Sequence, residues 1–171
     1  MDFKEILKAS MSEYLTDVEN TLDSLSSEER KYQPTPDSHH INFAVWHMAR
    51  VEDTLVNKVI KKQEEIWVSN NWQGKLGING DGNGYGYTQE QLENFPEIDM
   101  NTLLEYYQAV RTNIFEYIDG LTQADLDRDL GMNRKAPFDT VGNLLSHLVI
   151  EEAEHAGQVR YLRGMQRGLN K

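Results

Sequence analysis

The stretch from Asp139 to Leu169 constrains the fold most strongly, because no proline interrupts it and its apolar residues recur at helical spacing. Asp139 or Thr140 can cap a helix here, and the helix can then run for roughly seven or eight turns of 3.6 residues. Its apolar positions share one broad face, and they are Leu144, Leu148, Val159 and Leu162. The stretch therefore predicts one long amphipathic helix.

A stripe of titratable side chains runs on or beside this apolar face. His147, Glu151 and His155 are spaced i, i+4 and i+8, so they stack one helical turn above the next. Burying a carboxylate and two imidazoles without partners would cost several kcal/mol or more. Solvent exposure, a hydrogen-bond network or a metal ion would each remove that cost, and the spacing alone leaves the three explanations open.

Three more stretches show the same helical periodicity, and two short ones carry helix-start signals. The long stretches are residues 2–25, 42–62 and 100–119, and the short helices are predicted to start at Ser26 and Thr122. Asn42 is the expected cap of the second long helix. With almost no strand signal, we expect an all-α chain of one domain over residues 1–171, folded as an antiparallel four-helix bundle.

His47 lies in the second long stretch among apolar neighbours. Taken alone, such a residue is more often a core histidine than a ligand. In a bundle, however, the second and fourth long helices can face each other, which would place His47 opposite the stripe on the last helix. Imidazole and carboxylate ligands suit zinc, nickel, iron or manganese, and three protein ligands leave coordination positions open, as in catalytic sites.

Residues 63–98 break the helical pattern. Six of the twelve glycines fall between Gly74 and Gly86, while Trp67 and Trp72 argue against plain disorder. A structureless segment of this length is uncommon inside a compact domain unless it is functional or disordered. We therefore expect an ordered excursion that folds over one end of the bundle and shapes the mouth of any cavity there.

The charge balance narrows the classes of partner. Lysine and arginine number 17 against 28 aspartate and glutamate, a net charge of −11 with histidine neutral. This balance disfavours nucleic acid and anionic membranes, which both select basic patches. The first residues lack the basic and apolar regions of a signal peptide, so we expect a cytoplasmic location. The chain has no cysteine, which excludes a thiolate ligand and a cysteine nucleophile.

Two segments together resemble a known family. They are WHMARVED at residues 46–53 and EEAEHAGQVRYLRG at residues 151–164, and they are similar to the DinB-like family of DNA-damage-inducible bacterial proteins. The resemblance implies a four-helix bundle that holds a divalent metal on three residues, matching His47, Glu151 and His155 here. Family members often carry histidine where this chain has Glu151, but two histidines and a carboxylate are also a known ligand set.

The resemblance also implies an activity and partners. Characterised members include transferases and isomerases that use low-molecular-weight thiols, so a small-molecule substrate, a thiol cosubstrate and a bound zinc or nickel ion are expected, with manganese or iron as alternatives. A non-catalytic metal- or ligand-binding protein is the competing function. The resemblance further implies a homodimer. The only support for a dimer within the sequence is Tyr106, which is predicted to lie beside the buried stripe of its helix.

The sequence also supports an expectation for each of several other residues near these motifs. His147 is either a fourth ligand or a neighbour of the ligands. His39 and His40 are expected in a solvated loop. Glu152 and Glu154 should point away from the ligand stripe, Gln158 could donate to a ligand or substrate, and Gly157 should let a neighbouring helix approach.

Overall fold

Helices dominate residues 1–168, the part of the chain that this computed structural model describes; Leu169 lies outside it. Within this part no strand forms, and one isolated antiparallel bridge joins Asp129 to Thr140. None of the helices described is both long and apolar enough to cross a membrane. The helices are α1 (Phe3–Leu22), α2 (Ser27–Lys31), α3 (Ile41–Asp53), α4 (Ile66–Ser69), α5 (Trp72–Leu76), α6 (Gln89–Glu93), α7 (Met100–Gly120), α8 (Gln123–Leu126) and α9 (Val141–Arg167), with a π-helical segment (Thr54–Ile60) directly after α3.

Local capping signals start most of the helices that the sequence predicts. Ser26 and Glu29 form a reciprocal capping box at α2, and Thr122 forms another with Asp125 at α8. Thr140 caps α9 through its side chain. These side chains satisfy backbone N–H groups that have no partner inside the helix, so the short-range sequence is enough to position these three starts.

The start of α3 differs from the prediction. The cap is His40, whose Nδ1 accepts the N–H of Phe43 at 3.0 Å, while Asn42 is buried inside the helix. His40 is also buried and not solvated as expected. Burial lowers the pKa of His40 to about 4, so the imidazole is neutral near pH 7 and its bare nitrogen can act as the cap acceptor.

Each of the four long helices packs against two of the others. Helix α9 packs against α1 and α3, and α7 packs against α3 and α1. Tyr106 of α7 is fully buried and donates its hydroxyl to Asp53 Oδ2 at 2.8 Å. The prediction that Tyr106 lies beside the buried stripe is therefore wrong. A fully buried tyrosine cannot contribute to a dimer interface.

A buried charge network ties three of these helices together. Glu52 of α3 accepts hydrogen bonds from Arg111 Nε at 3.1 Å and from the Tyr107 hydroxyl at 2.8 Å. Glu152 of α9 is also fully buried, 3.0 Å from the same hydroxyl. Burial first and the charge of Glu52 second raise the pKa of Glu152 well above its usual range, so this side chain is a neutral acid that can donate to Tyr107.

Candidate metal centre

Two helices bring the three predicted ligands together. Helix α3 supplies His47, and the facing helix α9 supplies Glu151 and His155 one turn apart. One ligand atom from each of the three lies within 4.8 Å of the other two. The rings of His47 and His155 meet edge to face with centroids 4.8 Å apart. The structure therefore places all three side chains around one small space.

The tautomer of His47 follows from its neighbours. Its Nδ1 contacts the backbone carbonyl of Asn83, and a carbonyl oxygen can only accept, so Nδ1 carries the proton and donates it. Phe43 stacks on the ring with centroids 5.7 Å apart. Burial lowers the pKa of His47 to about 4, although the Asn83 carbonyl opposes this shift. The imidazole is neutral near pH 7, and its Nε2 presents a free lone pair.

Gln158 gives His155 a similar partner. The Nδ1 of His155 lies 2.8 Å from Gln158 Oε1, and Nε2 of His39 lies 3.0 Å from the same oxygen. The amide oxygen can accept both N–H groups, which leaves Nε2 of His155 free for a ligand-binding role. His39 is half-buried against His155, contrary to the solvated position expected for it. Gln158 does contact a candidate ligand, but its amide oxygen accepts in this contact, whereas Gln158 was expected to donate.

His147 is a neighbour of the group, one turn before Glu151. Its Nε2 lies 3.3 Å from Glu151 Oε2, and its ring packs edge-on against Phe138 with centroids 5.2 Å apart. Within residues 1–168 the convergent group contains His47, Glu151 and His155 without His147. This position suits a side chain that holds the carboxylate while the second carboxylate oxygen stays available.

The donor set fits a divalent metal ion. Ligand atoms that share one tetrahedral ion at about 2.0–2.1 Å lie roughly 3.3–3.4 Å apart. The three candidate ligand atoms here lie within 4.8 Å of one another. Small side-chain rotations would close that difference. Both histidines have the second-nitrogen partner that metal-bound imidazoles usually need. Two imidazoles and a carboxylate form a set that binds zinc, nickel or iron and leaves positions open for other molecules.

A family comparison identifies the superfamily to which the chain belongs. The model of the DinB superfamily matches residues 13–159, which include all three side chains. The chain belongs to the DinB superfamily. A solved structure described as a conserved protein from Enterococcus faecalis superposes with a TM-score of 0.86 at 20% identity, covering 96% of this chain and 97% of that one. This similarity shows the fold alone. No protein of curated function matches the chain.

In this DinB superfamily member, Arg50 holds the loop that contacts His47. The guanidinium is fully buried, lies 4.7 Å from the centre of the Trp67 ring, and donates to the carbonyls of Asp81 at 2.9 Å and Gly82 at 3.3 Å. Those carbonyls directly precede Asn83. Arg50 was not among the predicted site residues, although an arginine within the apolar run of α3 is an unusual feature.

Two cavities lie close to the convergent group. One of about 450 Å³ is lined by His47 and Glu151 themselves. The other, of about 760 Å³, is lined by His39 and Gln158, the side chains that contact His155. Asn83 lines the first cavity and neighbouring Gly84 lines the second, so the loop passes between them. The excursion thus shapes both entrances, as predicted.

The larger cavity also explains Gly157. This residue lies in its wall, and a β-carbon built there would meet no atom within 4 Å among the described residues. The expectation that Gly157 lets a neighbouring helix approach is therefore wrong. Its missing side chain instead leaves the cavity open beside Gln158.

Proposed function

We propose that His47, Glu151 and His155 bind one divalent metal ion, zinc or nickel, and that the protein is a metal-dependent enzyme. The proposed reaction transfers a low-molecular-weight thiol to a small electrophile. The observation that carries this proposal is the convergence of three metal-ligand side chains, two of which line a cavity. We further infer that the four long helices form the antiparallel four-helix bundle of the family; the α1–α9, α9–α3, α3–α7 and α7–α1 contacts support this arrangement.

Different residues of the chain would orient the metal ligands, and the metal would activate the nucleophile. When bound, a divalent ion lowers the pKa of a thiol or water that reaches it, so that the nucleophile forms near pH 7. Asn83 and Gln158 orient the two histidine ligands through their second nitrogens, and His147 orients Glu151. The chain has no cysteine, so the thiol must come from a cosubstrate.

Two cavities suit a reaction of two molecules. The smaller cavity is lined by His47 and Glu151, and the larger one by His39 and Gln158, which contact His155. Their volumes of about 450 Å³ and 760 Å³ lie in the range of small-molecule sites. A thiol in one cavity and an electrophile in the other would meet at the ligand group. Holding two reactants in place in this way converts a bimolecular step into an effectively unimolecular one.

Metal analysis of the protein purified without a histidine tag tests the first half of the proposal. We expect close to one divalent ion per chain, and loss of that ion in His47→Ala and His155→Ala. His40→Asn is the matched control, because it removes a buried imidazole outside the group and keeps a helix-capping side chain. Full metal content in His155→Ala would contradict the ligand assignment.

Turnover tests the second half. Small thiols are combined with a chlorinated aromatic electrophile while zinc, nickel or manganese is restored to the metal-free protein in turn. We expect product only with both thiol and metal present. Turnover that persists in the metal-free protein would overturn the mechanism. A protein that binds metal but turns over none of the pairs would support the non-catalytic alternative.

A further inference from the structure

The smaller cavity has a cationic side chain in its wall that the proposed ligand group does not use. Arg134 lines this cavity together with the apolar side chains of Val51 and Leu55. Among the described residues that line it, Arg134 is the only lysine or arginine and Glu151 is the only acidic residue.

Arg134 is exposed and forms no ion pair with any of the described residues. The ion pairs formed among residues 1–168 do not include it. Its guanidinium instead lies 5.7 Å from the centre of the Phe138 ring. In a chain of net charge −11, an arginine that faces a cavity without a carboxylate partner keeps its five N–H donors available for a ligand.

The loop that carries Arg134 is held at both ends. Asp129 and Thr140 form the antiparallel bridge, and Leu130 N–H donates to the Asp139 carbonyl at 2.9 Å. Between these ends, the N–H of Phe138 donates to the Lys135 carbonyl at 3.1 Å. The backbone therefore holds Arg134 and Phe138 in place beside the cavity.

A continuous row of contacts leads from this arginine to the ligand group. Phe138 lies between the Arg134 guanidinium and the His147 ring, and His147 contacts Glu151. A molecule lying along the row would touch an aromatic face in its middle, the guanidinium at one end and the ligand group at the other. That arrangement recognises an apolar or aromatic body with an anionic group.

The larger cavity is the more acidic of the two. Its wall contains Asp37 and Glu154 and no lysine or arginine, whereas in the smaller cavity Arg134 offsets the charge of Glu151. The electrostatic repulsion of an anionic group is therefore weaker in the smaller cavity than in the larger one.

We propose that Arg134 is a specificity-determining residue, and that the smaller cavity takes a small organic carboxylate whose apolar part packs on Phe138. This inference rests on the proposed function for the role of the carboxylate as a reactant. The anion site itself depends on Arg134 and Phe138 and not on a bound metal. Its planar guanidinium can bind a carboxylate through two parallel hydrogen bonds.

Binding of benzoate and of its neutral analogue benzamide tests the proposal by calorimetry, on zinc-loaded and metal-free protein. We expect Arg134→Gln to weaken benzoate binding about tenfold or more, as for loss of a charge-assisted pair, and to leave benzamide binding unchanged. Lys135→Gln is the matched control: it removes the same charge from the next residue, outside the cavity, and should change benzoate affinity less than about twofold. Phe138→Ala should weaken both ligands, which locates them in this cavity.

Zinc content measured on the same samples separates this inference from the proposed function. If zinc does not bind, the proposed function fails, while an effect of Arg134→Gln on benzoate in the metal-free protein still supports the anion site. Equal benzoate affinity in the original protein and Arg134→Gln would overturn the inference. So would a zinc-loaded protein that binds no benzoate.

Discussion

A β-carbon at Gly84 would lie 3.0 Å from Nδ1 of His47 and 2.9 Å from Cζ of Phe43. Gly84 also has a φ of +92°, a conformation that other residues rarely adopt. The glycine thus lets the backbone of the loop lie directly on the histidine, where the neighbouring Asn83 carbonyl accepts the Nδ1 proton. A residue far from His47 in sequence sets the orientation of this candidate ligand.

We expect Gly84→Ala to weaken zinc binding by roughly 10–100-fold, the usual effect of losing a group that orients a metal-bound histidine. The added methyl would push the loop away and remove the Asn83 hydrogen bond. Gly82→Ala is the matched control in the same loop, because a β-carbon there meets no atom within 4 Å. Competition with a zinc-binding dye measures both affinities, and equal values for the two variants would contradict this account.

Replacement by glutamine should destabilise the fold much more at Glu52 than at Glu152. Glu52→Gln leaves the buried Arg111 without its counter-charge, so we expect a loss of about 3–5 kcal/mol in the free energy of unfolding. Glu152→Gln replaces a neutral acid with a neutral amide of the same shape, whose N–H can still donate to Tyr107. We expect a loss within about 1 kcal/mol.

Urea denaturation of metal-free protein at pH 7 measures both changes. A loss for Glu152→Gln as large as that for Glu52→Gln would mean that Glu152 is ionised in the fold, and the described network would then be wrong.

The stability of the metal-free protein should depend on pH through buried histidines. The pKa of His40 is lowered from an ordinary 6.5 to about 4, so the fold favours the neutral ring. This contribution is fully present above pH 6.5 and is lost as the pH falls toward 4, by up to about 1.4 kcal/mol per pH unit. His47 and His39 have pKa values lowered in the same direction.

His40→Asn keeps a capping acceptor for the Phe43 N–H and removes one titrating group. The variant should therefore lose less stability than the original protein between pH 6.5 and 4, while the shifts of His39 and His47 preserve part of the slope. Thermal unfolding in a series of buffers measures the difference. Parallel curves for the two proteins would show that His40 protonates freely in the fold.

Thermal unfolding with and without metal should distinguish the role of His147 from that of the ligands. Zinc at 100 times its dissociation constant stabilises the fold by about 2.7 kcal/mol, or roughly 5–10 °C in Tm for a chain of this size. We expect this gain to vanish with a chelator and in His155→Ala. His147→Ala should keep it at a zinc concentration raised by about 10–100-fold, because His147 only orients Glu151. No gain for His147→Ala at any zinc concentration would make His147 a ligand.

Local patterns were sufficient for much of this fold. Helical periodicity predicted α9 and the other long helices, and capping signals at Ser26, Thr122 and Thr140 are confirmed. The cap of α3 was missed because a histidine acts as a cap acceptor only when it is neutral, and His40 is neutral because the folded chain buries it. The short helices of the excursion, α4 to α6, lie where the glycine-rich sequence shows no periodicity.

The sequence by itself determined which side chains could form the site. Glu151 and His155 share a helix face through their i, i+4 spacing, and the family motif added His47. Only the tertiary structure decided how these groups are oriented, because His47 contacts the backbone carbonyl of Asn83, in a loop that the buried Arg50 holds. A carbonyl occurs at every residue, so this partner has no sequence signature. Its role arises from the packing of residues that are distant along the chain.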